Sequence, residues 1–256
     1  FFRKNFVPEI LGGELQKKAQ AIALCNPRKI KFPNGKIENG FVKIMRIGDP
    51  GQGKTVLAKK GFVAYSQKWT IFISVENATT KGLAMTTKKG KTGRWIVQMG
   101  VLPKQHNGGM VLDGIGKLNQ FDLSELRSIK EEGICESTKA SGNASFPTEV
   151  TILSLGNLKK NVDEYPTKHL ASYDLATNTG DVSGKFSGAD RRREDFILVV
   201  SNEDLDTRDV QRRTLKEKKG DFDDVAYWNN LNSYAWSRLP EQIKWDVEIV
   251  EKVDEF

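Results

Sequence analysis

Cysteine is scarce in this chain: Cys25 and Cys135 are the only two among 256 residues, and they lie far apart. So few thiols argue against a disulfide framework or a zinc module and read as free or buried groups in a reducing compartment. No apolar run approaches the length of a membrane span, and no signal-peptide pattern opens the chain. Internal repeats and low-complexity tracts are missing as well. Acidic residues are rare at one end: residues 1–100 hold 5 Asp/Glu against 19 Lys/Arg. A methionine is missing from position 1, so a piece of a longer protein is expected.

The balance of what is present describes a globular protein. Hydrophobic residues make up 38% and charged residues 29%, which is too apolar for a disordered chain. The length suffices for one sizeable α/β core with a smaller appendage. The net charge of +7 is uneven, because residues 201–256 carry 9 Lys/Arg against 14 Asp/Glu. A basic first half suggests a polyanionic partner, although a solvated lysine surface explains the charge equally well.

The run Gly48-Asp-Pro-Gly-Gln-Gly-Lys-Thr55 fits G-x-x-x-x-G-K-[ST] at every fixed position. A strand-like stretch, Phe41 to Ile47, precedes it, and Val56 to Lys60 can continue as a helix. A strand feeding a glycine loop that opens a helix aims several backbone N–H groups at one point and adds the helix dipole. Gly48, Asp49, Pro50, Gly51, Gln52, Gly53, Lys54 and Thr55 are therefore the expected phosphate cradle. Lys54 would reach the β/γ-phosphates and Thr55 would ligate Mg²⁺. Binding of a nucleoside triphosphate is implied.

Four more short apolar runs have the size of buried parallel strands: Trp69–Val75, Met110–Asp113, Val150–Leu155 and Phe196–Val200. Alternation with helical stretches argues for a parallel sheet covered on both faces. Residues 6–24 read as a lead-in followed by an amphipathic helix, its apolar positions being Leu15, Ala19, Ile22 and Ala23. Beyond about residue 205 the chain is charged and helical in character, with aromatic anchors at Tyr227, Trp228, Tyr234, Trp236 and Trp245.

Taken together, these elements resemble the AAA+ domain of the MCM family, the ring-shaped replicative DNA helicases of archaea and eukaryotes. The likeness covers roughly residues 5–240 in consistent order. It rests on Asn5 to Gly12 with Lys17-Lys-Ala19, on Gly48-Asp-Pro-Gly51, and on Gly82-Leu83 followed by Lys91-Thr-Gly-Arg-Trp95. Gly108-Gly109 before an apolar Asp strand, Ser137 to Gly142, Leu155-Gly-Asn157 and Arg193-Glu-Asp195 complete it. The resemblance implies an α/β fold, an AAA+ P-loop NTPase core with a mostly parallel sheet flanked by helices, two β-hairpin insertions and a partial helical lid. The expected division is 1–40 lead-in and helix, 41–205 ATPase core, and 206–256 the start of the lid. Catalytic residues implied are Lys54, Asp113, Asn157 and Arg193. Asp113 would hold Mg²⁺ with Thr55, Asn157 would orient a water toward the γ-phosphate, and Arg193 would act on the neighbouring subunit's nucleotide. ATP and Mg²⁺ are the implied cofactors. A homo- or hetero-oligomeric ring, most simply a hexamer, is implied, in the nucleoid or cytoplasm of an archaeon or the nucleus of a eukaryote.

DNA is the implied partner. Leu83 to Gln98 has two strand-like arms around Lys-Lys-Gly-Lys-Thr-Gly, a hairpin signal, and Lys88, Lys89 and Lys91 cluster at its tip. Lys139 lies at the tip of the second hairpin. Such lysines contact phosphate without reading sequence.

One departure bears on activity. The family follows the Asp of its second motif, Walker B, with a Glu that activates the attacking water, whereas here Gly114 follows Asp113 and Gly116 replaces a second acid. Loss of a general base lowers rates by about 10²–10⁴-fold, and Asp122 and Glu125 fall on the following helix. On this reading, Gly114→Glu is expected to raise turnover by at least about tenfold. Two alternatives stay open: a non-hydrolysing, nucleotide-gated ring subunit or DNA-binding scaffold, and a related AAA+ machine of the chelatase or MoxR type.

Overall fold

A computed structural model describes residues 6–10, 12–75, 80–93, 95–118, 120–139, 142–157, 188–200 and 223–244. Its centre is a five-stranded, wholly parallel sheet of β3 (Lys43–Gly48), β4 (Thr70–Ser74), β7 (Gly109–Asp113), β10 (Thr151–Gly156) and β11 (Phe196–Val200). The spatial order is β11-β3-β10-β7-β4. All five coincide with the apolar runs of the sequence, shifted by a residue or two. Strands covered on both faces need apolar side chains at successive positions rather than alternate ones, and every residue of β10 is buried.

The two faces of the sheet hold separate cores. Met45, Ile47, Met110, Leu112 and Ile152 pack with Leu123, Leu126 and Ile129 of the helix Gln120–Glu132. Ile44, Val111, Leu153 and Leu155 pack on the other face, against the helix Glu14–Cys25, the helix that begins at Lys54, and Trp228 of the helix Asp224–Trp236. We label these four helices, in chain order, α1 (Glu14–Cys25), α2 (from Lys54), α3 (Gln120–Glu132) and α4 (Asp224–Trp236). Both hairpin insertions are present as antiparallel pairs: β5 (Met85–Lys89) with β6 (Trp95–Met99), and β8 (Ile134–Lys139) with β9 (Gly142–Pro147). A third small pair, β1 (Lys29–Lys31) with β2 (Ile37–Asn39), precedes the sheet.

α1 forms where periodicity places it but buries a different face. Leu15 is 62% exposed and Ile22 48%, whereas Gln16, Lys17 and Gln20 are buried beside Ala19, Ala23 and Leu24. Polar contacts set this rotation. Lys17 Nζ donates to the carbonyls of Val7 (3.1 Å) and Ile10 (2.5 Å), and Gln16 Nε2 donates to that of Val199 (3.4 Å). α4 docks on the same side: Asn232 Nδ2 donates to the Leu24 carbonyl at 2.8 Å, and Phe6 meets Trp228 edge-on at 4.9 Å. The Tyr65 hydroxyl joins three segments, accepting from the Val7 N–H at 2.8 Å and donating to Asp224. The lid boundary expected near residue 206 and the anchor Trp245 lie outside the described residues.

α3 is tied to the turn before β11 by an enclosed ion pair between Lys130 and Glu194, whose side chains are 5% and 0% exposed. Burial pushes the Glu194 carboxyl above its ordinary range, and Lys130 opposes the shift. Removing one partner of such a pair leaves an uncompensated buried charge, at a cost of about 3–5 kcal/mol. Lys130→Met is expected to destabilise by that amount, and Lys130→Met with Glu194→Met to recover most of it. Because Glu194 binds its proton more tightly folded than unfolded, stability of the single variant should fall further as pH rises through and above the carboxylate range. Urea unfolding of the three proteins between pH 5 and 8 checks both points.

Candidate nucleotide site

The phosphate loop leaves β3 at Gly48 and enters α2 at Lys54. α2 runs as α-helix over Lys54–Ala58, as a π turn over Lys59–Val63 and again as α-helix over Ala64–Ser66. Its N-cap, Gly53, has φ 71° and supplies no side-chain cap. The first-turn N–H groups are therefore left for another acceptor, the requirement for an anion at a helix start. Gly48 is demanded by packing, since a Cβ there would lie 2.5 Å from the Val200 carbonyl oxygen. Gln52 folds back so that its Oε1 accepts from the Asp49 N–H at 3.1 Å, which braces the loop.

Lys54 is buried, and its ammonium donates to the Gly48 and Asp49 carbonyls, both at 2.6 Å. Burial draws its pKa down to about 8, Arg46 adds to the drop, and Asp49 and Asp113 oppose it. Thr55 Oγ1 donates to Asp113 Oδ2 at 2.9 Å. A hydroxyl and a carboxylate in contact beside the phosphate loop form the all-oxygen donor set that suits Mg²⁺. The two sequence-predicted metal residues, 58 positions apart, thus meet.

Asn157 follows β10 directly. β10 lies between β3 and β7, with Gly156 beside Ile47 and Leu155 beside Asp113, so Asn157 emerges between the start of the phosphate loop and Asp113, and it is exposed. Arg193 lies elsewhere. It precedes β11 at the opposite end of the parallel sheet, roughly 15 Å of strand from the loop. There its guanidinium donates to Glu131 of α3, Nε to Oε2 at 2.9 Å and Nη2 to the same oxygen. It cannot serve the phosphate loop of its own chain.

At position 114, where the sequence resemblance leads one to expect a Glu, the backbone departs along with the side chain. Gly114 has φ 85° and ψ 35°, donates its N–H to the Leu155 carbonyl at 3.0 Å and accepts from the Lys117 N–H at 2.9 Å. A Glu here would be strained, because L-residues seldom adopt this conformation. Asp122 is buried, and Glu125 meets the Cys135 thiol at 3.9 Å.

A model of the MCM P-loop domain matches residues 2–175. The chain belongs to the MCM family. Among its relatives, an uncharacterized MCM-type protein of Methanocaldococcus jannaschii is 28% identical over 218 residues, which cover 80% of this chain and 30% of that protein. The DNA replication licensing factor mcm5-A of Xenopus laevis is 23% identical over 81% of this chain and 26% of its own. A protein of Oryza sativa subsp. indica named "Probable DNA helicase MCM9" is 24% identical over 86% and 32%. The chain thus spans about a third or less of the length of these relatives.

Within this MCM domain the hairpin lysines Lys88, Lys89 and Lys91 are exposed around a turn closed by Gly93 N–H on the Gly90 carbonyl at 3.0 Å. Lys139 pairs with Gly142 in the second hairpin, and its side chain lies outside the described residues. Among the described residues, no cluster of three His, Cys, Asp or Glu forms a metal site, and no helix is long and apolar enough to cross a membrane. Both cysteines are free thiols. Sequence reasoning missed Arg46, a cation inside an apolar strand; the signal was its place in Ile44-Met-Arg-Ile47. It also missed the Gln52 brace, for which no local signal exists.

Lys54 carries a pH signature. Its folded pKa of about 8 lies below the ordinary value of 10.5, so between these values the unfolded chain binds more protons than the folded one. The penalty is complete below pH 8 and fades toward pH 10.5. Relative to wild type, Lys54→Met should therefore be most favourable for nucleotide-free stability at pH 7, and its advantage should shrink as pH rises through that window. Thermal melts of both proteins from pH 7 to 10.5 measure the difference.

Proposed function

We propose that this chain is the ATP-binding motor domain of an MCM-like ring DNA helicase. The observation that carries the reading is the convergence of Lys54, Thr55 and Asp113, with Asn157 at the adjoining strand end. Lys54 would exchange its two carbonyl partners for β/γ-phosphate oxygens, and the first-turn N–H groups of α2 would hold the remaining phosphate charge. Thr55 and Asp113 would hold Mg²⁺, which supplies charge neutralisation at the phosphates when bound. Asn157 would orient a water there.

Arg193 supports assembly into a ring, most simply a hexamer, because a finger so far from its own loop is useful only to a neighbour. Release from Glu131 would precede that contact. The exposed lysines Lys88, Lys89 and Lys91, with Lys139, would line the channel and hold DNA by its phosphates.

A second reading keeps the fold without turnover: a ring subunit that binds ATP and hydrolyses it slowly or not at all. Gly114 favours it, since the acid is missing and the left-handed turn resists its return. ATPase assays of the assembled protein with and without DNA separate the two; a rate ordinary for a hydrolysing ring would defeat the second.

ATP with Mg²⁺ is expected to raise the melting temperature, and Lys54→Ala to abolish the shift; a folded wild-type chain that binds no ATP would sink the nucleotide reading. Charge reversal at Lys88, Lys89 and Lys91 should weaken DNA binding and flatten its dependence on salt, by about one unit of log–log slope per lost phosphate contact. Unchanged slopes in fluorescence anisotropy would mean that these lysines only face solvent.

A further inference from the structure

Arg46 heads the largest wholly enclosed side chains among the described residues. It stands in β3 beside Leu155 of β10 and Leu198 of β11. By strand alternation it shares the face of Ile44, which packs toward α1 and α2. Its Nη1 donates to the Lys54 carbonyl at 3.3 Å and its Nη2 to the Gln16 carbonyl at 3.4 Å, while Nε meets no acceptor. Among the described residues only carbonyl oxygens meet it. Burial draws its pKa down to about 9, so it is charged at neutral pH. A buried ion with no counter-ion is costly to fold around, and a Leu or Met would fill this strand position without that cost.

What sets Arg46 apart is its neighbour. The carbonyl it grips belongs to Lys54, the first residue of α2, whose ammonium is turned into the phosphate loop. Two cations therefore share one peptide segment at the start of a helix whose dipole is positive at the same end. Asp49 and Asp113 balance Lys54 in part, but among the described residues no carboxylate meets the guanidinium.

We infer that Arg46 serves the phosphate site from behind, as a buried charge whose counter-ion is the polyphosphate held by the loop, and that its two carbonyl bonds hold the start of α2 against α1. The inference rests on the reading of the loop as a nucleotide site and adds a positioning residue to it. Arg46 does not touch the ligand. Its contribution travels through a low-dielectric interior and scales with ligand charge, so it discriminates triphosphate from diphosphate and monophosphate. A purely structural staple would do neither.

The test uses Arg46→Met, which removes charge and hydrogen bonds, and Arg46→Gln, which removes the charge but keeps a donor. Calorimetric titration with Mg²⁺ and ATP, ADP or AMP is paired with thermal melts of the nucleotide-free proteins. Both variants should melt no lower than wild type, because a buried ion is gone. Both should bind ATP roughly tenfold more weakly, the size of one charge–charge interaction across roughly 12 Å at an effective dielectric constant of about 20, with smaller losses for ADP and AMP. Equal losses for all three ligands, unchanged affinities, wild-type affinity in Arg46→Gln, or failure of both variants to fold would each overturn the inference. A wild-type chain that binds no ATP overturns the nucleotide reading as well, whereas a binding wild type with equally tight variants overturns this inference alone.

Discussion

The parallel pairing of β10 with β3 on one side and β7 on the other is the constraint on which the site depends. Leu155 stands beside both Arg46 and Asp113, and Gly156 beside Ile47, so three strands end at one level. The phosphate loop, Asp113 and Asn157 therefore leave the sheet along a single edge. Slipping β7 by one residue would turn Asp113 to the opposite face, because strand side chains alternate with period two, and Thr55 would lose its 2.9 Å contact. The two apolar cores hold that register, since each strand must present its odd and even residues to different helices.

Charges buried in this fold sit where elements must meet at a defined place. Lys130 and Glu194 join α3 to the turn before β11, and Arg127 with Asp190 joins the same regions nearby. Pairs of this kind add little net stability but make the alternatives costly, because separating them strands a charge in the interior. Arg193 with Glu131 is a different case. Glu131 is 58% exposed, so the pair is weak and easily exchanged for a better anion, as the proposed reach to a neighbouring subunit would require.

Binding and hydrolysis make separate demands on this site. On the proposed reading the loop, Lys54 and the Thr55–Asp113 contact would serve binding, and all of them are in place. Gly114 would bear on hydrolysis alone under that proposal, and its φ of 85° is built into the turn through bonds to Leu155 and Lys117. A single change back to Glu must therefore work against backbone conformation as well as supply a carboxylate, which removes the simplicity of the expectation drawn from the sequence.

The phosphate loop, the five strands and both hairpins were legible in the sequence because their causes are local: glycine spacing, runs of apolar residues and turn-forming tips act over a handful of positions. The order of the motifs also made the family legible. The rest needed the third dimension. Periodicity placed α1 but misjudged its buried face, because Lys17 and Gln16 satisfy carbonyls of Val7, Ile10 and Val199 that no local pattern reveals. The sequence placed Thr55 and Asp113 in order along the chain; only the β3-β10-β7 arrangement brought them into contact across 58 residues. It left Arg46 unremarked inside an apolar run and showed Arg193 as one of three consecutive arginines. The fold decided that the first lies behind the phosphate loop and the second at the far end of the sheet, since direction and distance between residues far apart in the chain are set by strand order and packing, not by spacing along it.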